Sequence, residues 1–494
     1  SGNVNDGSSW STATSNLQRA IERLLLNRNG KDKIIYMTEG EFAPIYTINK
    51  NGGFVVNTRY GSQGETVAGE TKNVGSLRIS GGYNDDNQLQ PIPVESPIYR
   101  GENYKTVITT INSGAKSLFN IEDIANREGN EQDAVSNRMV IPLTIENLTF
   151  ENPYGAAFRY ETNSGVDDDN TVKLVLSGCE FRGSDGESVG LPVVKIAGRG
   201  GRTLIYNTLF HSNQGVPIDA VDTEIFNATI ALNTGVPVLS DSIYGGDAQP
   251  RYPSKLYNSV LWRNGGKGID QSASEGIVSS QLSSLPSAGN QIIQVDNIRY
   301  SAVQNLSATT LALDDAQYNN DNLSAQNDDV INGPNFFNPY DGVLASRDFD
   351  IGASANLLNK GDSISYRSAL NLASDQSSGY DISLNSARVY DDNIDRGAYE
   401  NNQLLYPILY VQPGKTLDGD GTTWENAFGQ GRLQEAIDLC AVYAATRANA
   451  GENAVVFVKS GHTGESLILR NGVSVYGSVA ASYTDTVTAD GVTP

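Results

Sequence analysis

Apolar positions along this chain follow two different periods. At Leu17, Ala20, Ile21, Leu24 and Leu25 they recur at i, i+3, i+4, i+7 and i+8, the stripe of an amphipathic helix. The same stripe returns at Leu433, Ala436, Ile437, Cys440 and Ala441. A turn ending in tryptophan precedes each helix, Asp6-Gly7-Ser8-Ser9-Trp10 in the first copy and Asp420-Gly421-Thr422-Thr423-Trp424 in the second. A strand ending in glycine follows each, Ile34 to Gly40 and Val455 to Gly461. A further strand comes next, Leu77 to Gly81 and Val473 to Gly477. Four elements in the same order mark an internal repeat of a capped start. A helix laid across the end of a strand stack covers unpaired edges and closes the apolar interior. Cys440 stands where the first copy has Leu24, so it reads as a small core residue.

Between the two starts the period shortens to two. An aliphatic residue, a spacer, Asn or Gly, two residues and a large apolar residue recur five times. The copies are Ile145/Asn147/Phe150, Leu176/Gly178/Phe181, Ile205/Asn207/Phe210, Ile225/Asn227/Ile230 and Leu256/Asn258/Leu261. Another Asn or Gly follows each, at Asn152, Gly183, Asn213, Asn233 and Asn264. Counted at the first Asn or Gly, the copies lie 31, 29, 20 and 31 residues apart. A bare turn of a strand solenoid needs somewhat over about 20 residues, so the longer intervals carry loops. Alternation turns one face of each strand inward. Asn and Gly suit the corners, because they accept left-handed backbone angles. Stacked turns are expected to line up Asn147, Asn207, Asn227 and Asn258 as an internal amide ladder. Cys179 is expected to pack at the position of Leu148, Thr208, Ala228 and Ser259.

From about 265 to 345 the pattern fades into a stretch rich in Ser, Asn, Gln and Asp, read as irregular strands with long loops. It returns near Asp350 and closes at Asp395-Arg396-Gly397-Ala398-Tyr399-Glu400. The expected organisation is a cap and first rungs over 1–90 and a body over 91–400 with the loop-rich insertion. The start of a second unit occupies 408–494. One rung cannot bury a core, so this second unit is expected to be completed by further chain or by a partner. The fold class expected is all-β, a right-handed parallel β-helix with an N-terminal capping helix. The tryptophan-turn start and the Gly-Ala-Tyr-Glu close resemble those of secreted bacterial right-handed β-helix proteins, a family that includes the polymorphic-outer-membrane type and numerous surface proteins of the Bacteroidota. The resemblance covers roughly residues 1–90 and 408–480, and it implies fold more strongly than function.

Charge changes the picture next. The chain carries 57 acidic and 35 basic residues, a formal charge of -22. No basic stripe is available to neutralise nucleic-acid phosphates or to dock on an anionic lipid surface. No apolar run is long enough to span a bilayer. Neither a nucleic-acid partner nor membrane insertion is therefore expected. Two cysteines make no disulfide framework. No cofactor is expected, with calcium left open by the acidity. The candidate ligands are Asp167, Asp168 and Asp169, although their spacing lacks the alternating pattern of a known calcium loop and reads first as solvated loop.

Catalytic sets are harder to find. Lyases of the β-helix fold gather Asp on one sheet with an Arg or Lys base, and its pectin hydrolases join Asp to a His and a basic run. Neither set is visible, and the two histidines, His211 and His462, read as surface turn residues. No catalytic residue is assigned. The Bacteroidota resemblance implies O-glycosylation at Asp followed by Ser or Thr and an aliphatic residue. That makes Ser242, Ser363 and Thr486 the candidate acceptors. The expected role is a non-enzymatic, extracellular cell-surface protein. It would be a surface-layer or other assembly subunit whose partners are copies of itself or other surface proteins. Two alternatives stay open: an adhesin or glycan-binding module with aromatics along a groove, and a polysaccharide lyase or hydrolase whose carboxylates meet across rungs.

Overall fold

A computed structural model describes residues 13–27, 31–44, 53–57, 65–67, 70–72, 75–83, 105–110, 116–122, 141–161, 172–197, 202–242, 254–265, 290–292, 298–304, 320–323, 326–371, 382, 394–401, 406–412, 414–415, 419, 421–429, 431–446, 454–459 and 467–479. The chain is mostly β, with long parallel sheets. Three α-helices stand among the described residues: α1 (Leu17–Leu26), α2 (Ser363–Ala369) and α3 (Leu433–Thr446). Two compact units divide it. The first comprises Ser1–Ala325, Asn338–Arg347 and Asn359–Glu400, the second Gln326–Phe337, Asp348–Leu358 and Asn401–Pro494. The second unit thus takes in two short segments that the sequence reading placed in the body.

In the first unit a 15-stranded and a 7-stranded sheet share the strands of each repeat. Leu143–Glu146 and Leu148–Glu151 lie in the larger sheet and Ala156–Glu161 in the smaller. Val172–Ser177, Glu180–Arg182 and Val194–Ile196 then take the same places, followed by the two halves of Arg202–His211 with Ile218–Val221. Each strand pairs in parallel with its counterpart one repeat on. The five aliphatic positions fall in one register, Ile145, Leu176, Ile205, Ile225 and Leu256. The five large apolar positions fall in another, Phe150, Phe181, Phe210, Ile230 and Leu261. All ten are fully buried. The rings of Phe150, Phe181 and Phe210 stack at successive centroid spacings of 4.9 Å, the separation of neighbouring strands. Two described pairings in this unit depart from the scheme and run antiparallel, Val238–Ser242 with Asn290–Ile292 and Glu65–Val67 with Glu70–Lys72. Where the apolar pattern fades after 265, the larger sheet nevertheless continues in parallel through Ala302–Gln304 to Asp321–Leu323.

The corners explain the conserved-looking Asn and Gly spacing by backbone geometry. Asn147, Gly178, Asn207, Asn227 and Asn258 all adopt left-handed φ between 51° and 58°. The ladder expected from them is corrected, however. One link of it is seen between Asn227 and Asn258, from Asn258 Nδ2 to Asn227 Oδ1 at 3.4 Å. Their other bonds hold a covering segment: Asn207 to the Tyr366 hydroxyl, Asn227 to the Asp395 carbonyl and Asn258 to both backbone groups of Asp362. The amide ladder runs instead through the second corner. Asn213 Nδ2 donates to Asn233 Oδ1 at 2.9 Å, and Asn233 Nδ2 to Asn264 Oδ1 at 2.8 Å. Asn233 Oδ1 also accepts from the Asn213 backbone N–H, so buried donors on adjacent strands are satisfied together. Ser184, not Gly183, continues the ladder, because its N–H donates to Asn213 Oδ1.

The helices cap as the apolar stripes require. In α1 the Asn16 side chain accepts from the Arg19 N–H, and Leu17, Ile21 and Leu25 are buried. In α3 Leu433, Ala436, Ile437, Cys440 and Ala441 are buried. The second unit sets α3 against a three-stranded parallel sheet of Ile408–Val411, Ala454–Lys459 and Val473–Val479. Its other described part holds Phe336 edge-on to Phe349 at 5.3 Å.

Candidate functional site

The outer face of the larger sheet carries the densest group of titratable side chains described. Because Phe150, Phe181 and Phe210 point inward, their neighbours Glu151, Glu180, Arg182 and His211 point outward on adjacent strands. Glu180 lies at the centre. Its Oε1 accepts from His211 Nε2 at 3.0 Å and Arg182 at 3.2 Å, and its Oε2 accepts from Thr149 at 3.0 Å and Lys105 at 3.3 Å. Arg182 also reaches Glu151 at 3.1 Å. On its other side His211 Nδ1 meets Ser212 Oγ at 3.0 Å, and Arg347 donates to the same oxygen.

His211 is fully buried, which corrects its reading as a surface turn residue. It closes a strand, and the corner is Ser212, with φ 58°. The residues 338–347 cover this face. Tyr340 packs at a tilt against Trp262, with the Arg263 guanidinium over its ring, and the Leu344 side chain lies where a Cβ on Gly183 would stand, so glycine there answers both the left-handed φ and the close approach.

Burial opposes the charged form of Glu180, but the His211 hydrogen bond, Lys105 and Arg182 outweigh it and hold its carboxyl well below the usual carboxylate range. Burial pushes the His211 pKa down, more than Glu180 raises it. A neutral His211 facing an ionised Glu180 carries its proton on Nε2, leaving Nδ1 to accept from the Ser212 hydroxyl. The arrangement can therefore pass a proton from Ser212 towards His211. It also ties four successive repeats together through mutually compensating charges, of which Glu180 and Arg182 are buried and Lys105 and Glu151 reach solvent.

The other named residues fall as follows. Asp167, Asp168, Asp169, Thr486 and His462 lie outside the described residues. Ser242 ends the strand Val238–Ser242. Ser363 opens α2, capped by Asp362, and is only 8% exposed. Cys179 and Cys440 are buried free thiols, and burial pushes both up to about 12. Among the described residues no group of His, Cys, Asp or Glu is placed to hold a metal ion, and no helix is long and apolar enough to cross a membrane.

Sequence reasoning missed the Glu180 cluster, although its signal was present. Once the repeats are aligned on their phenylalanines, Glu151, Arg182 and His211 occupy one column. It also missed a matching pair on the two capping helices. The Gln18 amide both donates to the Val55 carbonyl and accepts from its N–H, and Gln434 does the same to Ile468. The repeated Leu-Gln at 17–18 and 433–434 was the clue. Compared with protein-family models, curated proteins and solved structures, the chain matches none.

Proposed function

We propose that the chain is a right-handed parallel β-helix that serves as a non-enzymatic, extracellular structural subunit, of the surface-layer or assembly type found on Bacteroidota-like cell surfaces. The observation that carries this reading is that the chain closes the outer face of its own long sheet. Segment 338–347 lies over the Glu180 face, and Tyr366 and Ile394, from residues 359–371 and 394–400, pack against Leu204 and Phe226 in a second apolar cluster. A self-covered stack with side-chain ladders at its corners suits a rigid load-carrying element. The handedness follows the rule for parallel crossovers, and the net charge of -22 suits a hydrated exterior.

Labelling native envelopes with an antibody to this chain under the electron microscope tests the role. An ordered labelled array is the expected result, and sparse, unordered label would overturn the assembly reading.

One observation favours a second reading, hydrolysis: the run Ser212–His211–Glu180 places a hydroxyl, a base and an orienting carboxylate in sequence. A fluorophosphonate probe is the check. Covalent labelling of Ser212 that disappears in His211→Gln would establish the hydrolase, and an unlabelled chain would exclude this nucleophile.

A further inference from the structure

Residues 340–347 meet the Glu180 face at three points. The Tyr340 ring lies against Trp262 with centroids 5.8 Å apart, the Leu344 side chain lies over Gly183, and Arg347 donates to Ser212 Oγ. Beneath them Arg182, His211, Ala231 and Trp262 stand side by side on adjacent strands, with Gly183 and Ser212 next along the chain from the first two. The three points therefore bracket His211, which is fully buried. The segment's own hold is thin. None of residues 340–347 is buried, and three of its backbone N–H groups bond inside it: Val343 to Asp341 Oδ1 at 2.7 Å, Ser346 to the Val343 carbonyl at 2.9 Å and Arg347 to the Leu344 carbonyl at 3.3 Å. A segment so placed opens at far lower cost than the sheet below it unfolds.

His211 links this segment to the charges of the face. Glu180 and Arg182 reach it from the neighbouring strand, Arg347 reaches it from the segment, and Lys105 and Glu151 act through Glu180 and Arg182. Asp341, on the segment, faces Arg347 and accepts from its Nε through the backbone carbonyl. The strand on the other side presents Ala231. Neutral His211 accepts the Ser212 hydroxyl proton at Nδ1, which leaves the lone pairs of Ser212 Oγ for Arg347. A protonated ring donates from both nitrogens. Ser212 Oγ then accepts from two cations, and its own proton loses the Nδ1 acceptor.

We propose that residues 340–347 are a strap, closed over the face while His211 is neutral and lifted from it once His211 takes up a proton. Burial lowers the His211 pKa most, Arg182 and Arg347 add to this, and Glu180 opposes it. Lifting restores water to the ring and removes Arg347 but leaves Glu180 in place, so the lifted form binds the proton more tightly than the closed one. Closure is therefore strongest above the ordinary histidine value of 6.5 and weakens as the pH falls through it. Acid in this way uncovers Glu180, Arg182 and His211. The strap goes beyond the assembly reading, and it holds whether or not Ser212 is a nucleophile.

Amide hydrogen exchange on the full chain tests the strap, with rates corrected for the intrinsic effect of pH. Protection of the Ser346 and Arg347 amides should fall about tenfold from pH 7.5 to pH 5.5. The Asn213 amide, held by Asn233 Oδ1 in the corner ladder, should stay more protected than either at both pH values. His211→Gln should give equal strap protection at the two values. Leu344→Ala should lower it at both and keep the wild-type ratio between them. A wild-type ratio of one would overturn the proposal even if neither variant folds. A full ratio that survives in His211→Gln would assign the proton elsewhere and overturn it as well. Strap amides as protected as Asn213 would mean that the segment opens only with the whole fold, which equally sinks the strap.

Discussion

The start at 13–83 and the start at 406–479 share a helix stripe, a strand register, a bulge and a glutamine clasp, yet they differ in what lies beside them. In the first, Phe54–Asn57 is followed by Ser117–Glu122 in parallel, and Val56 is 1% exposed. In the second, the run Leu467-Ile468-Leu469 that Gln434 clasps has no described strand beyond it, and Leu469 is 75% exposed. Among the described residues, the second start has the strand Ile408–Val411 before its paired strands, and the first has Ser117–Glu122 paired with Phe54–Asn57. The same local sequence logic thus yields buried or exposed apolar residues according to the neighbour supplied.

The comparison can be broken most forcefully at the helix cores. Ile21→Ala and Ile437→Ala remove equivalent, fully buried side chains, and each should destabilise its own start by about 2–5 kcal/mol, read by denaturant-dependent hydrogen exchange at Lys33–Thr38 and Ala454–Lys459. If one substitution proves silent, the two caps are not equivalent. The corner ladder comes next. Asn233→Ala leaves the buried Asn213 N–H and amide without their acceptor and should cost about 1–3 kcal/mol in urea denaturation.

The Glu180 cluster sets a pH dependence that the starts do not share. The folded pKa values of both His211 and Glu180 are lowered, so the unfolded chain takes up protons first on acidification. Stability should be fully present above the ordinary histidine value of 6.5 and fall as the pH drops through it. A second loss should follow below the ordinary carboxylate range as Glu180 is titrated. Urea midpoints from pH 8 to pH 2 check this, and His211→Gln should remove the first step only. The smallest effect is expected at the clasps. Gln18→Ala and Gln434→Ala should each cost about 0.5–1.5 kcal/mol and speed exchange at Val55 and Ile468 respectively.

Much of the fold was legible because the repeats were written in residues with few alternatives. Ile145, Leu176, Ile205, Ile225 and Leu256 share a register because a period of two fixes which face is inward. Asn147 and Asn207 were readable as corners because few residues accept a left-handed φ. The Glu180 cluster was not read, since its members lie in different repeats and a lone His after Phe210 gives no local sign of burial. The stretch after 265 reads as irregular strands with long loops, and the places of those strands in the larger sheet were not legible for a related reason. Ala302–Gln304 and Asp321–Leu323 are too short for periodicity to show, while pairing with a formed edge needs only two or three residues.

By itself the sequence determined the elements: two helix stripes, the alternating strands, the corner residues and the duplication of the start. These are local, because side-chain period and backbone preference act within a few residues. The tertiary structure decided what each element touches. It chose the second corner for the amide ladder, turned the first-corner asparagines to clasp Tyr366 and Asp362, buried His211 against Glu180, and left Ile34 and Leu469 exposed. Those outcomes depend on which strand or segment packs alongside, and that neighbour is fixed by stacking across tens to hundreds of residues rather than by the residues on either side.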